Sequence, residues 1–339
     1  MEKTYDPPIL VSIFCMTYNH EKYIRKALEG FISQKAEFRF EVLVHDDAST
    51  DHTAEIIREY EAKYPDIIKP VYQTENQYSR HIPIIANHLL PKARGKYFAW
   101  CEGDDFWSDP QKLQLQVDAL EKHKDCAVCF TRVAFVASDT EQIRRLAPER
   151  DWPERVLEKD VFINSVLQYR FAWQISGMMV RRNVYIEYLN DLPPYYKYFG
   201  KYLVGDIPMF LYFGLQGNAY YINRCMSCYR AGTSSGWSRR TKGSKESAIA
   251  WYRSQAQGYK AFDRYSDYQY HESVLRGIQR CNFSIARRNY DIKAMKGPEL
   301  SSLYKELSIK EKLKLNFLHC FPWSSRAISL LRSIGRRRR

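Results

Sequence analysis

Apolar residues along the first 137 positions alternate between two periods. Ile9 to Cys15 is an unbroken β-rich apolar run too short for a helix, and Met16 to Asn19 continues it as a polar-leaning loop. Glu21 to Gln34 then places Tyr23, Ala27, Leu28 and Phe31 at helical intervals. A second such unit follows. Phe40 to His45 reads as a short buried strand, Asp46 to Thr50 as turn chemistry, and Thr53 to Tyr64 as a helix closed by Pro65. Further strands are predicted at Ile68 to Gln73 and, after the Ala93-Arg94-Gly95 turn, at Tyr97 to Cys101. A helix over Pro110 to His123 and a strand over Ala127 to Val136 complete the regular part. Strands alternating with helices argue for a parallel sheet covered on both faces.

Beyond residue 137 the pattern loosens. Ser138 to Trp152 is charged and loop-like, Glu158 to Gln168 has helical spacing, and Gln174 to Val180 is a short apolar segment ending at Arg181 and Arg182. An Asp at the cap and a proline in the first turn predict a helix from Asp206 to Gly214. Residues 240 to 320 read as largely helical.

In parallel α/β sheets ligands gather at the carboxyl ends of strands, so the polar residues just past each strand are the ones that matter. Three such segments stand out. Thr17-Tyr18-Asn19, with Glu21 close behind, offers an aromatic ring and hydrogen-bonding groups to a base or sugar, although a structural turn has the same composition. Asp46-Asp47-Ala48-Ser49-Thr50-Asp51 places paired carboxylates at a strand tip. A helix cap accounts for the Ser, Thr and Asp51, but not for the pair. Cys101-Glu102-Gly103-Asp104-Asp105-Phe106-Trp107 packs three carboxylates into four residues behind an apolar strand. Such like charges repel unless they face open water or a cation sits among them. Mn2+ or Mg2+ held by one or two carboxylates plus phosphate oxygens suits the second case, with Gly103 turning the backbone toward the ligand.

In this order and spacing, the three segments resemble the nucleotide-binding half of family-2 glycosyltransferases, over roughly residues 8 to 137. The resemblance implies a GT-A-like α/β fold with a mostly parallel central sheet, and a nucleotide-sugar donor, expected to be uridine-linked. It also implies Mn2+ or Mg2+, and a glycan or lipid-linked acceptor in cell-surface polysaccharide synthesis. By the same resemblance, Tyr18 and Asp47 contact the nucleotide base and ribose, Asp104 ligates the metal, and Glu102 or Asp105 supports it; Thr17, Asn19, Glu21 and Trp107 are further candidates to contact the donor. Glu102 stands where the family usually has Asp, and its extra methylene shifts it toward the ribose or an outer role. The family places its catalytic carboxylate at a helix start after a variable stretch, and Gly205-Asp206-Ile207-Pro208 fits that place. Asp206 is accordingly the expected base of an inverting transfer, the plain alternative being a helix cap. Tyr229-Arg230, followed by Gly232 and the Ser234 to Ser238 loop with Trp237, resembles the segment that closes over the donor diphosphate, with Arg230 on phosphate. Among the aromatic residues, Trp107 and Trp173 are expected nearest the site. This divides the chain into a nucleotide-sugar-binding half (1–137), an acceptor-binding half carrying the base (138–240) and a helical region (241–339).

Charge adds a membrane expectation. The chain of 339 residues has a formal charge of +13, and residues 301 to 339 hold ten Lys or Arg against two Glu. Ala327, Leu330, Leu331 and Ile334 recur at helical spacing beside Arg326 and Arg332, ahead of Arg336 to Arg339, which makes a basic amphipathic tail suited to an anionic leaflet. Plain solvation of the tail is the alternative, and nucleic acid is disfavoured because no nucleic-acid-reading motif is present. No apolar run reaches the roughly 18 residues of a membrane span, and the first residues do not fit a secretory signal. The expectation is a cytoplasmic protein at the inner face of the membrane, with its eight cysteines reduced. The pairs Cys126/Cys129 and Cys225/Cys228 have zinc-like spacing but lie in strand-like runs, where residues three apart face opposite sides. Two rival functions are nucleotidyl transfer, which wants a glycine-rich phosphate loop that Cys15 to His20 lacks, and a non-catalytic sugar- or membrane-binding module.

Overall fold

A computed structural model describes residues 8–149, 151–168, 173–200, 206–233 and 244–321. The chain forms two compact units. One comprises residues 1–193 and 205–236, the other residues 194–204 and 237–339. The expected nucleotide-binding stretch (1–137) falls within the first unit, whereas the expected acceptor-binding stretch (138–240) is shared, its residues 194–204 and 237–240 belonging to the second.

The first unit is built on one mixed sheet. Its strands are β1 (Ile9–Thr17), β2 (Arg39–Asp46), β3 (Ile68–Tyr72), β4 (Tyr97–Trp100), β5 (Phe106–Trp107), β6 (Cys126–Ala137), β7 (Ile143–Ala147), β8 (Arg155–Leu157), β9 (Met178–Arg181) and β10 (Asn218–Ala231). They lie in the order β3-β2-β1-β4-β9-β6-β10-β5, with β7 on β6 and β8 on β10. Strands β3, β2, β1 and β4 pair in parallel, as do β6 and β10. The expected parallel sheet is interrupted by β9, which runs antiparallel between β4 and β6. A four-residue apolar run carries no record of its direction, which its two neighbours set. The charged stretch after residue 137 also departs from a plain loop, because β7 folds back on β6 as a hairpin.

The helices of this unit are α1 (Ile24–Ile32), α2 (Thr53–Lys63), α3 (Lys112–Lys122), α4 (Lys159–Leu167), α5 (Arg182–Asn190) and α7 (Asp206–Gln216); α6 (Tyr196–Gly200) belongs to the second unit. Alternation along β1 supplies both faces of the sheet with core. Val11, Ile13 and Cys15 pack with Ala27, Leu28 and Phe31 of α1 and with Leu113 and Val117 of α3. On the other face Phe14 meets Phe98 and Trp100, with ring centroids 5.0 and 5.2 Å away, and Tyr185 of α5 closes on Trp100 at 5.0 Å. Glu41, 1% exposed, pins the amino ends of the central strands. It accepts from Ser12 Oγ at 2.8 Å and from the Arg94 N–H, Nε and Nη2 at 2.8, 2.9 and 2.6 Å. Gly95 is required beside it, since a Cβ there would lie 2.4 Å from the Ser12 nitrogen.

Lys112 of α3 is wholly buried, its Nζ donating to Gln116 Oε1 at 2.6 Å and standing 4.3 Å from the centre of the Trp107 ring. Burial pushes its pKa down to about 7. A lysine in the unfolded chain titrates near ~10.4, so between about pH 7 and that value the unfolded chain binds a proton the folded chain does not, and stability rises with pH. Lys112→Met is expected to flatten that rise, by up to ~1.4 kcal/mol per pH unit. Denaturant titrations across this window measure it, and an unchanged pH slope in the variant would refute a neutral buried amine.

The second unit is helical, as the sequence predicts for residues 240 to 320. Besides α6 it contains α8 (Lys245–Tyr265), α9 (His271–Asn289), α10 (Ile292–Lys296), α11 (Ser301–Glu306) and α12 (Ile309–Cys320). Ser244 and Ser308 close capping boxes on α8 and α12, and Asp291 caps α10. Phe283, Ala286, Ile292, Met295, Leu300 and Leu315 form its carboxyl-terminal core. Among the described residues no helix is long and apolar enough to cross a membrane.

Candidate active site

The carboxyl ends of β1, β2 and β4 bring the three sequence segments together. The loop after β1 is tied to the loop after β2 by side chain-to-backbone bonds. Asn19, at φ 55°, donates its N–H to Ser49 Oγ at 2.9 Å and accepts the Thr50 N–H at 2.8 Å. The Glu21 N–H donates to Asp51 Oδ2 at 3.1 Å, while the Glu21 carboxylate accepts the His52 N–H at 3.2 Å. The His20 N–H donates to Thr53 Oγ1 at 2.8 Å. Asn19 and Glu21, expected as nucleotide contacts, therefore act within the protein as braces. Tyr18 is 39% exposed at the strand tip and presents its ring outward.

Asp47 is 3% exposed, and both carboxylate oxygens are occupied: Gln77 N–H donates to Oδ1 at 2.7 Å and Tyr78 N–H to Oδ2 at 3.0 Å. It anchors the segment after β3 beside the first two loops. Asp46, also buried, accepts the Ser49 N–H at 3.3 Å on one oxygen, and its Oδ1 has no partner among the described residues. Burial raises its pKa above the usual carboxylate range. His45 behind it is a neutral imidazole, since burial pushes its pKa down to about 4.

The third segment passes directly under the first. Gly103 donates its N–H to the Met16 carbonyl at 2.9 Å. A Cβ on Gly103 would meet Thr17 Oγ1 at 2.6 Å and His20 Nδ1 at 3.0 Å, so only glycine admits this approach. Thr17 Oγ1 and His20 Nδ1 are 3.1 Å apart, and His20 Nε2 is 4.0 Å from Asp104 Oδ2. Thr233 Oγ1 donates to the same Asp104 oxygen at 2.9 Å. Asp104 is thus held from both sides, at 8% exposure. Asp105 lies deeper, at 1%, and accepts the Arg230 N–H at 2.9 Å. Burial, with repulsion from Asp104 and Glu102, pushes the Asp105 carboxyl well above its ordinary range.

A divalent cation would be met here by the Asp104 carboxylate, which shares one oxygen with Thr233. Among the described residues no three His, Cys, Asp or Glu side chains converge as a metal cage. Of the three acids expected at the metal, Asp105 turns inward onto the Arg230 N–H. One or two carboxylates on a cation completed by phosphate oxygens and water is the arrangement Mn2+ or Mg2+ accepts.

Three other residues expected at the site have partners within the protein. Trp107 is buried in the core. It is 3% exposed, its Nε1 donates to the Ser176 carbonyl at 3.0 Å, and Phe31 packs edge-on at 5.1 Å. Its place on β5, paired with β10, turns the indole into the core. Trp173 is likewise core, donating to Ser165 Oγ at 2.9 Å and lying 4.7 Å from the Phe130 ring. Arg230, expected on phosphate, is 4% exposed on β10. Its Nη1 pairs with Glu141 Oε1 at 2.7 Å, and its guanidinium lies 4.6 Å from the Phe106 ring centre and 5.1 Å from that of Tyr23. Lys26 is the second partner of Glu141. Burial alone would raise the Glu141 pKa, but these two cations hold it below its ordinary value. Lys22, Tyr23, Ser138, Asp139, Thr140, Glu141 and Arg230 line an open cavity of about 590 Å³ at this point.

His20, Thr233 and Glu141 were not singled out in the sequence. His20 adjoins the Tyr-Asn motif, which is a usable signal, but Glu141 sits at φ 55° in the β6–β7 turn and has none. Asp206 is half-buried in the first turn of α7, where its Oδ1 accepts the Ile207 N–H at 2.9 Å. Gly205 and the Ser234 to Ser238 loop with Trp237 lie outside the described residues.

Residues 12–189 match glycosyl transferase family 2. The chain belongs to that family. An uncharacterized protein of Mycobacterium tuberculosis, Rv1520, is 40% identical over 174 residues, 51% of this chain and 47% of that protein. The chain thus spans about half the length of this relative. Among solved structures, Staphylococcus aureus TarS in complex with UDP-GlcNAc superposes with a TM-score of 0.56 at 15% identity, covering 90% of this chain and 78% of that one. The mannosyltransferase PcManGT from Pyrobaculum calidifontis, in complex with GDP-Man and Mn2+, gives 0.52 at 17% identity, covering 94% and 88%. Both share the GT-A-like fold described above.

Proposed function

We propose that this family-2 chain transfers a sugar, with inversion, from a UDP-sugar to a hydroxyl of a glycan or lipid-linked saccharide in cell-surface polysaccharide synthesis. The observation that carries the reading is the meeting of three strand-tip loops at Asp104, with Thr17, His20 and Thr233 fixing that carboxylate's surroundings. The exposed Tyr18 ring offers a stacking face to the base. Asp47 orders the segment at residues 76–79 against which base and ribose rest.

Asp104, with Glu102 in an outer role, would hold Mn2+ or Mg2+, and that ion would supply positive charge to offset the charge of the departing diphosphate. Asp206 accepts the proton of the attacking hydroxyl as the acceptor oxygen bonds to the anomeric carbon on the face opposite the leaving group. As that bond forms, the bond from the anomeric carbon to the diphosphate oxygen breaks, and UDP departs with its electron pair. Asp105, buried and bonded to Arg230, is a positioning residue. The Ala327 to Arg339 tail, outside the described residues, brings the enzyme to the anionic cytoplasmic face of the membrane.

Thermal unfolding with a panel of UDP-, GDP- and TDP-sugars, with and without Mn2+, tests the assignment. A ligand at 100 times its dissociation constant adds about 2.7 kcal/mol. A UDP-sugar should raise the transition temperature only with the metal present, and a panel without any shift would overturn the assignment.

A further inference from the structure

Helix α12 is apolar on two sides. Leu315 is buried with Phe283, Ile292 and Met295, and Leu318 is buried as well. The other side carries Ile309, Leu313, Phe317 and, at the C-cap, Phe321, which are 77, 65, 50 and 45% exposed. Their four-residue spacing aligns them in one stripe, and the rings of Phe317 and Phe321 lie 5.3 Å apart. Single exposed apolar residues need no explanation, but an aligned row of four is a docking face.

The charges around the row indicate what docks. Lys310 and Lys314 each follow a stripe residue by one position and Lys312 precedes Leu313 by one, which sets ammonium groups about 100° round the helix on both flanks. Glu311, the acid of this helix, is turned away: it caps the helix with Ser308 and pairs with Arg287 at 2.8 Å. Beyond the helix, residues 322 to 339 add Arg326, Arg332 and Arg336 to Arg339 and no acid. An apolar row with basic flanks is the pattern of a helix lying in the plane of a bilayer interface, with side chains in the acyl boundary and ammonium groups among anionic headgroups.

We propose that the Ile309, Leu313, Phe317 and Phe321 face of α12 inserts into the interfacial layer of an anionic bilayer. This deepens the membrane reading given above by naming the inserting face, and it stands apart from sugar transfer. The test uses the full chain and sedimentation with vesicles of equal parts phosphatidylcholine and phosphatidylglycerol, or of phosphatidylcholine alone. The wild type should partition into the anionic vesicles, and the double variant Leu313→Glu/Phe317→Glu should lose on the order of 100-fold in partitioning, because two apolar side chains no longer leave water. Circular dichroism and the Mn2+-dependent UDP shift report whether the variant is folded, and loss of the UDP shift in the wild type would count against the enzymatic reading alone. Wild-type binding retained by the double variant would assign attachment to the basic tail and overturn the proposal. So would absence of wild-type binding, or light scattering that finds a wild-type dimer converted by the variant to a monomer, which would make a second copy the occupant.

Discussion

Asp206→Asn is expected to lower the transfer rate constant by about 10²–10⁴-fold, the usual contribution of a positioned general base, while leaving UDP affinity in Mn2+ within about twofold. The substitution separates two roles that one carboxylate can fill. Asp206 begins α7, and its Oδ1 accepts the Ile207 N–H at 2.9 Å, which is helix-start chemistry. Asparagine serves that chemistry about as well as aspartate. A helix-start role alone thus predicts little change in rate or stability, whereas a base predicts a collapse in rate with stability intact. Steady-state transfer from the UDP-sugar identified in the thermal panel measures the rate, with release of UDP as the readout. Full activity in a folded Asp206→Asn enzyme would return Asp206 to a capping role.

Asp104→Asn is expected to weaken Mn2+-dependent UDP binding by about 100-fold or more, at or beyond what loss of an outer partner of a metal costs. The hydroxyl of Thr233, 2.9 Å from Oδ2, can still donate to an asparagine oxygen, so the local hydrogen bonding survives. What disappears is the charge. The same change carries a second, opposite signature. Asp104 is a cause of the raised Asp105 pKa, after burial itself, so its neutralisation relieves a repulsion that the metal-free protein carries. In chelator, Asp104→Asn should unfold at the wild-type temperature or above it. A variant that is destabilised in chelator and binds UDP normally in Mn2+ would mean that Asp104 is structural.

The parts of the fold legible in the sequence are those with an internal period. Strands β1, β2, β3, β4 and β6 and helices α1, α2 and α3 lie where the spacing of apolar residues places them, with ends shifted by no more than three residues. The elements that the sequence left open have their identity fixed by partners. β9 owes its direction to β4 and β6, and β7 exists because β6 is there to pair with it. The candidate site divides in the same way. Acids clustered after strands were visible because their mutual repulsion demands a reason wherever they fold. The division of labour among them was not. Asp105 differs from Asp104 through the N–H of Arg230, which is 125 positions along the chain. Trp107 reads as a site aromatic by its place in the motif, and is core because Phe31 and the Ser176 carbonyl close around it. Arg230 reads as a phosphate ligand by its place after Tyr229, yet Glu141, brought over by an unforeseen hairpin, claims its guanidinium.

Calorimetric titration of UDP into the wild-type chain, once in Mn2+ and once in EDTA, bears most directly on the acid cluster as a metal-assisted diphosphate site. The account predicts binding in Mn2+ at least about tenfold tighter than in EDTA, a difference of about 1.4 kcal/mol or more. Equal affinity in the two buffers would contradict it.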